Sequence, residues 1–323
     1  MQSGRFTFDY VLQIVQGTGL LDASQSEELS TNQSAQRYRL SRAAGRGGRG
    51  QLVEISPAEL LASFQLKGLT EDKIMEAIAQ AESLPYVKID PLELDANLIT
   101  STLSRPFARK HRLLPLSRSA GRLRLATDDP FNHDAIEMVR NLAGGQVEVV
   151  LASKTDILKL IRDVYGFRRT LQAAQSDLET GADLGNLEQL FKMKSLDELE
   201  STDQHIVNAV DYLLRYAFEH GASDLHIEPK REQAIVRCRI DGILHTVQKL
   251  PMTVHRAVVS RVKTLSRLDI AEKRRPQDGR IKTRHDDVEV ELRVSTLPVA
   301  FGEKLVIRIF DPEVLLQDLE HLG

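Results

Sequence analysis

The residues best suited to chemistry in this sequence are arginines of its second half. Arg239 and Arg293 each occupy the polar side of an alternating, strand-like stretch, and Arg280 follows the residues Pro276-Gln277-Asp278-Gly279. Residues 221–310 carry 18 basic and 12 acidic side chains, a local charge of +6. A guanidinium stays charged and donates two parallel hydrogen bonds, so several of them around a cleft would suit phosphate. A solvated face, paired with nearby glutamates, explains the same pattern equally well.

A second candidate group is Asp224, His226 and Glu228, which alternate along a strand-like stretch and therefore point to one side of it. Their side chains are metal-ligand types, but one strand supplies poor tetrahedral geometry and no further cluster is obvious. A polar strand face or a subunit contact is the favoured interpretation, and no metal site is predicted. Cys238 falls on the apolar side of its strand and is interpreted as a small core residue.

Missing motifs exclude other kinds of chemistry. The 323 residues contain no G-x-x-x-x-G-K-[ST] phosphate loop, no G-x-S-x-G elbow and no H-E-x-x-H pair. Nothing in the chain would therefore hydrolyse a nucleotide by itself. The single cysteine also excludes a disulfide scaffold and any multi-cysteine zinc site.

Composition indicates a globular protein that is not a bulk nucleic-acid binder. Apolar residues make up 41% and charged residues 28% of the chain, and the formal charge is −3. With no tryptophan and 5% aromatic residues, stacking platforms for single strands are not expected. No apolar run approaches the ~20 residues of a membrane span, and the N-terminus lacks the apolar core of a signal peptide. We expect a cytoplasmic protein whose membrane contacts go through partners.

The start of the chain predicts helices. Weak helical patterning over residues 6–40 breaks at a Gly-Thr-Gly and suggests a second, short helix after it. Residues 37–50 combine five arginines with four glycines and are interpreted as a solvated linker, with an arginine-rich arm for phosphate or anionic lipid as the alternative. Ser56 and Glu59 form a capping box, and Thr70 opens a further helix.

The remainder predicts two sheet-containing regions. Residues 106–165 alternate strands with helices, and residues 166–200 are acidic and poor in apolar residues, which predicts a linker with one helix near Leu187–Met193. A capping box at Ser201–Gln204 begins a helix, after which the apolar period changes to two. Asp241-Gly242 predicts a hairpin turn. The expected fold class is α+β, with an antiparallel sheet packed against two helices.

Several motifs of the second half resemble the secretion ATPase superfamily, which includes type II secretion protein E and the type IV pilus assembly ATPases. They occur in the family's order: Ala222–Pro229 (ASDLHIEP), Arg239–Gly242 (RIDG), Leu268–Ile281 (LDIAEKRRPQDGRI) and Arg293–Pro298 (RVSTLP), followed by Gly302-Glu303-Lys304. Residues 55–165 resemble the preceding domain of the same family, of which Leu84-Pro85-Tyr86 is typical. The first ~50 residues match poorly.

This resemblance implies a domain organisation. Residues 1–50 are a helical segment with an Arg/Gly-rich linker, and residues 51–165 a small helical and αβ N-terminal domain. Residues 166–200 are a flexible acidic linker, and residues 201–323 a PAS-like antiparallel sheet packed with helices. In the family a P-loop domain follows. The chain ends shortly before that loop is expected, so we expect it to be inactive alone.

The resemblance also implies a mechanism. In the hexameric motor the sheet domain closes over ATP and Mg²⁺ held by the P-loop domain, and its arginines approach the phosphates as arginine fingers do. By motif position these are Arg280, Arg293 and Arg239. The implied partners are cytoplasmic domains of inner-membrane platform proteins, which would hold the protein peripherally at that membrane.

Two other functions remain open. Some family members bind cyclic di-GMP through paired N-terminal motifs, which are partly matched here by Arg5, Leu12, Gly19 and Leu29 and, without the arginine, by residues 59–78. A stand-alone platform-docking or nucleotide-sensing module without ATPase activity is therefore the alternative. An arginine-rich nucleic-acid binder is the third possibility and would show steeply salt-dependent binding.

Overall fold

The computed structural model describes residues 6–45, 55–180, 196–285 and 288–310. The chain divides into two compact units, Met1–Tyr165 and Gly166–Gly323. No helix among the described residues combines the length and the apolar character that a membrane span requires.

The first unit contains helices followed by a three-stranded sheet. Its elements are α1 (Phe8–Gly17), α2 (Ala23–Gly45), α3 (Pro57–Ala62), α4 (Glu71–Ala81), a 3₁₀ turn (Pro91–Glu93), α5 (Ala96–Thr102), α6 (Arg105–His111), β1 (Leu113–Ser119), β2 (Arg122–Thr127), α7 (His133–Ala143), β3 (Gln146–Leu151) and the start of α8 (Lys154–Thr180). Strand β2 lies in the middle, antiparallel to β1 and parallel to β3. One apolar core joins α1, α3 and α4, and a second lies around the sheet.

Local capping explains where several of these helices begin. Ser56 and Glu59 form the predicted capping box at α3, and the Thr70 side chain accepts a hydrogen bond from the Lys73 N–H at the start of α4. Each bond satisfies an amide that the helix itself leaves unpaired. The Ser153 hydroxyl accepts a hydrogen bond from the Asp156 N–H in the same way at α8.

Helix α2 differs from its prediction. The sequence predicts a short helix and a linker from residue 37, but α2 continues to Gly45. Residues 23–44 contain no glycine or proline, so nothing in the backbone stops the helix before Gly45. Residues 46–50 of the predicted linker lie outside the described residues.

The second unit is a six-stranded antiparallel sheet with helices. After the end of α8, its elements are α9 (Leu196–Glu219), β4 (Asp224–Pro229), β5 (Gln233–Ile240), β6 (Ile243–Pro251), α10 (Met252–Leu265), β7 (Gln277–His285), β8 (Val288–Val299) and β9 (Gly302–Phe310). The strand order is β6-β5-β4-β9-β8-β7. Helix α10 contacts β4, β5, β6 and β9, and α9 contacts α10 and β4. The predicted α+β class is therefore confirmed.

The segment predicted as a linker, residues 166–200, is helical at both ends. Helix α8 runs on to Thr180, and α9 begins at Leu196, so the predicted capping box at Ser201–Gln204 lies inside a helix. The Phe167 ring stacks on Tyr212 of α9 with centroids 4.1 Å apart, and His205 Nδ1 lies 2.8 Å from an Asp177 oxygen. Contacts with α9 therefore support a helix that its low apolar content does not predict. The helix predicted near residues 187–193 lies outside the described residues.

Strand β7 has no counterpart in the sequence prediction. Charged residues occupy its polar side and Ile281 is its main apolar residue, so the stretch lacks a clear apolar alternation. Among the described strands it lies at the edge of the sheet and pairs with β8 alone, and charged edge strands are common because they resist unwanted strand pairing.

Candidate phosphate-binding face

The three arginines singled out in the sequence lie in one row across the sheet. Directly paired positions run from Arg280 on β7 to Arg293 on β8 and Arg308 on β9, and then to Asp224 on β4 and Arg239 on β5. Residues directly opposite one another on neighbouring strands share a face of the sheet. Antiparallel pairing thus brings together four arginines from four different stretches of the chain.

This face is the polar side of the sheet. The other side carries the buried residues Leu225, Cys238, Val294 and Ile307, toward the helices. The side chains of Arg280, Arg293 and Arg308 are 66%, 56% and 63% exposed. Three consecutive strands therefore present guanidinium groups to solvent.

Arg239 differs from the other members of the row. Its side chain is 37% exposed, its Nη1 donates to the Gly242 carbonyl oxygen at 2.9 Å, and its Nε lies 3.4 Å from Asp224. Two strand steps separate it from Arg308, roughly 10 Å at 4.8 Å per step. The row therefore contains three adjacent arginines and a fourth that is set apart by Asp224.

Arg280 and Arg293 share one partner. Arg280 Nη1 and Arg293 Nε both lie 3.5 Å from Oε1 of Glu291, and the Arg293 guanidinium also lies 4.3 Å from the centre of the Phe310 ring. Ion pairs of this length at partly exposed positions contribute little to stability. A phosphate could therefore replace the carboxylate at low cost.

Asp224 is the buried carboxylate of the row. Its Oδ1 accepts a hydrogen bond from Arg308 Nε at 2.9 Å, and its Oδ2 accepts one from the Ser223 hydroxyl at 2.9 Å. Burial raises the pKa of Asp224, but the hydrogen bonds from Arg308 and Ser223 outweigh burial and hold that pKa below its ordinary value. Asp224 is therefore ionised at neutral pH.

Glu228 occupies a similar position further along β4. Its carboxylate lies 2.6 Å from Arg237 Nη2 and 2.9 Å from Lys304 Nζ. Although burial raises the pKa of Glu228, the hydrogen bonds from Arg237 and Lys304 lower it to about 2. His226 lies between the two carboxylates, and burial together with the charge of Lys304 lowers its pKa, so its ring is neutral.

Asp224, His226 and Glu228 alternate along β4 on the side of the sheet that carries the arginine row. Both carboxylates bind cationic side chains, and the described part of the chain contains no group of His, Cys, Asp and Glu residues able to hold a metal ion. Cys238 is fully buried in the core, and burial raises the pKa of its thiol to about 12.

The loop before β7 is held in one conformation by Gln277. Its side-chain amide donates to the carbonyl oxygens of Asp269 and Glu272, each at 3.0 Å, and accepts from the Asp269 N–H at 2.8 Å. Nζ of Lys263, which is buried in α10, donates to the Glu272 carbonyl oxygen at 2.8 Å and pairs with the Glu303 carboxylate. The loop and the β8–β9 turn are thus tied to α10 beside the strand that carries Arg280.

Sequence reasoning missed Arg308 and Lys304 on this face. Arg308 alternates with Ile307 and Ile309 in the final predicted strand, and this alternation was the available signal that it lies on the polar side. Its place beside Arg293 depends on the register between β8 and β9, which the sequence does not reveal.

The residues that partly match the cyclic di-GMP motif lie in the helical region of the first unit, away from the arginine row in sequence. Leu12 and Leu29 are buried in the core of the helical region, and Gly19 has a φ of 76° in the turn between α1 and α2. Arg5 lies outside the described residues. In the second copy, Glu59 pairs with Lys154 at 2.5 Å.

Comparison with known families and proteins gives consistent matches. Residues 199–323 match the family described as Type II/IV secretion system protein, and residues 82–171 match the MshEN domain. The type IV pilus assembly ATPase TfpB of Acinetobacter baylyi is 40% identical over 276 residues, which cover 83% of this chain and 47% of that protein. Type II secretion system protein E of Xanthomonas campestris is 34% identical over 277 residues, covering 84% and 48%. The chain thus spans about half the length of these relatives.

Solved structures give a weaker match. A structure described as MshE with cdg aligns with a TM-score of 0.32 and 20% identity, covering 48% of this chain and 98% of that chain. A similarity this low supports no conclusion about the present site.

Proposed function

Since the chain carries an MshEN domain and a type II/IV secretion system protein domain, and is homologous to type IV pilus assembly ATPases and type II secretion protein E, we propose that it acts as the N-terminal region of such a motor. Its sheet supplies arginines to ATP that a separate P-loop domain holds. The observation that carries this proposal is the arginine row on the polar face of the sheet. The sequence itself contains no phosphate loop.

The spacing of the row suits a polyphosphate. Arg280, Arg293 and Arg308 lie on consecutive strands, and two steps of ~4.8 Å place them along about 10 Å of the face. Each guanidinium can donate two hydrogen bonds to one phosphate group. Arg280 and Arg293 exchange Glu291 for phosphate oxygens, and Arg239 extends the positive potential at the other end of the row. Charge that develops on the phosphates during hydrolysis is thereby stabilised.

Mg²⁺ is proposed to bind together with ATP on the P-loop domain, where it would offset the negative charge of the phosphates. The residues of this chain contribute cations to the same phosphates. Movement of the sheet onto and away from the nucleotide would change the arrangement of subunits in a hexamer. Platform proteins of the inner membrane are the proposed recipients of that movement, and they would hold this protein peripherally at the membrane.

The test is ATPase turnover of the purified chain, alone and mixed with the separately expressed part of the TfpB relative that lies outside the 276 matched residues. We expect no turnover by either part alone and recovery on mixing. Arg280→Ala should reduce the recovered rate by about 10³-fold, as loss of an arginine finger does. Lys282→Ala removes the same charge from the same face of β7 and is the matched control. Recovery that is insensitive to Arg280→Ala would refute the proposal.

The alternative is a module without ATPase activity that docks on a platform protein or senses cyclic di-GMP. The match of residues 82–171 to the MshEN domain favours it. In the mixing experiment this function predicts no recovered turnover, together with measurable binding of cyclic di-GMP to the chain. Binding without recovery would favour the alternative.

A further inference from the structure

Asp224 is an unusual member of a row that is proposed to meet phosphate. A carboxylate beside an anion site repels the anion, and burial of this one adds a desolvation cost. Its side chain is only 7% exposed on the central strand β4. Its presence therefore needs a compensating effect.

The atoms that Asp224 contacts on the neighbouring arginines show what compensates for these costs. Asp224 takes the Nε of Arg308 through Oδ1 and the Nε of Arg239 through Oδ2, one from each neighbouring strand. Within residues 6–45, 55–180, 196–285 and 288–310, neither Nη atom of Arg308 donates a hydrogen bond, and Asp224 is the one ion-pair partner of this arginine. The side of the guanidinium nearest the sheet is thus anchored, and its outer edge remains available.

Anchoring matters because an arginine side chain is flexible. An unanchored guanidinium must be ordered when it binds, which costs about 0.5–1.5 kcal/mol for a side chain with many rotamers. The Ser223 hydroxyl, which donates to Oδ2, fixes the carboxylate in turn. Arg280 and Arg293 are held by a longer contact than Arg308, since each lies 3.5 Å from a partly exposed Glu291 oxygen, and Arg293 also lies over the Phe310 ring.

We propose that Asp224 is a positioning residue, which orients the guanidinium group of Arg308 so that its Nη edge faces the phosphates of the bound nucleotide. This inference rests on the proposed function, since it assumes that the row meets phosphate. Asp224 itself touches no substrate. Asp224 therefore strengthens phosphate binding, although its negative charge alone would weaken it.

The test measures binding of inorganic tripolyphosphate to the 323-residue chain by calorimetry at low ionic strength. Asp224→Asn should raise Kd by about fivefold, the cost of ordering the released side chain on binding. Asp278→Asn is the matched control, because Asp278 is an exposed carboxylate on the same face of β7, two residues from Arg280. That variant should lower Kd, since it removes repulsion and disturbs no arginine anchor.

An Arg308→Gln background separates orientation from folding. There, Asp224→Asn should lose most of its weakening effect, because the side chain that it orients is absent. Arg308→Lys should bind as weakly as Arg308→Gln, since the single ammonium group pairs with Asp224 and offers no free edge. Protection of the buried Cys238 thiol from alkylation verifies that each variant is folded.

The outcomes distinguish the two claims. If the wild-type chain does not bind tripolyphosphate, the proposed phosphate contact is refuted, and this inference with it. If the wild-type chain binds and Asp224→Asn binds more tightly, as Asp278→Asn does, then Asp224 acts only as a counter-charge. That second result would overturn the positioning role and leave the proposed function standing.

Discussion

At the scale of single residues, the absence of a side chain determines how closely β7 approaches the turn after α10. Gly279 precedes Arg280, and a Cβ atom at this position would lie 2.6 Å from the Ser266 carbonyl oxygen and 2.9 Å from Leu268 Cδ2. Close packing leaves no room for such an atom. The glycine is required here for space and not for an unusual φ.

Gly279→Ala should lower the free energy of unfolding by about 1–3 kcal/mol, because the turn or β7 must shift to admit the methyl group. Urea unfolding followed by circular dichroism measures the change. Gly166→Ala is the control, since open space surrounds the corresponding position in α8, which belongs to the same unit as Gly279. Equal midpoints for the two variants would show that the turn moves without cost.

At the scale of elements, the second half of α8 behaves as part of the second unit. Leu171 and Ala174 are buried there, and Phe167 and Asp177 contact α9. Isolated helices of this length are marginal in water, so these contacts supply much of the stabilisation. The segment is therefore a packed helix over residues 166–180, where its composition predicts a linker.

Ala174→Arg should destabilise the second unit by about 2 kcal/mol or more, because it forces a long, charged side chain into a filled space. Pulsed alkylation of Cys238 during urea unfolding reports on this unit, since that thiol is buried in its core. Gln172→Arg, at an exposed position of the same helix, should leave the midpoint unchanged. If Ala174→Arg left the urea midpoint unchanged, the packing of α8 on α9 would contribute little to the stability of the second unit.

At the scale of the whole molecule, the chain divides into two compact units, and a buried carboxylate of the first unit should make the stability of that unit depend on pH. Asp128 is a fully buried carboxylate of the first unit whose Oδ1 pairs with Arg112 Nε at 2.7 Å. Burial raises the pKa of Asp128 to about 6, against the opposing effect of Arg112. The folded state therefore binds a proton more readily than the unfolded state does.

The sign of the resulting pH dependence follows from proton linkage. Between about pH 4 and pH 6 the folded first unit holds more protons than the unfolded chain, so its stability should fall as the pH rises through this window. The fall due to Asp128 is about 2–3 kcal/mol at 1.36 kcal/mol per pKa unit. Asp128→Asn should remove this contribution, and urea unfolding of both proteins across the window measures the difference.

Two controls accompany that measurement. Asp134→Asn changes an exposed carboxylate of the same unit and should retain the wild-type slope. Alkylation of Cys238 follows the second unit and should give the same midpoint for wild type and Asp128→Asn at every pH. A shift of the Cys238 midpoint would mean that the two units unfold together.

Much of the local structure could be read from the sequence. The helix starts at Ser56, Thr70 and Ser153 depend on side chains within three residues of the amides that they cap, and the Asp241-Gly242 turn depends on two adjacent residues. The period-two pattern likewise assigned Arg239 and Arg293 to the polar side of their strands. Such features involve neighbours in the chain, so the amino-acid order alone determines them.

Only the tertiary structure decided which distant residues meet. Arg293 and Arg308 are adjacent through a register that a one-residue slip would destroy, and Asp224 reaches both Arg308 and Arg239 because β4 lies between β9 and β5. The helical state of residues 166–180 and the need for glycine at 279 likewise depend on packing partners far away in sequence. The candidate arginines, their hydrogen-bonding chemistry and the resemblance to the secretion ATPase superfamily follow from the amino-acid order. Long-range strand pairing and packing produce the row, its missed member Arg308 and the carboxylate between the arginines.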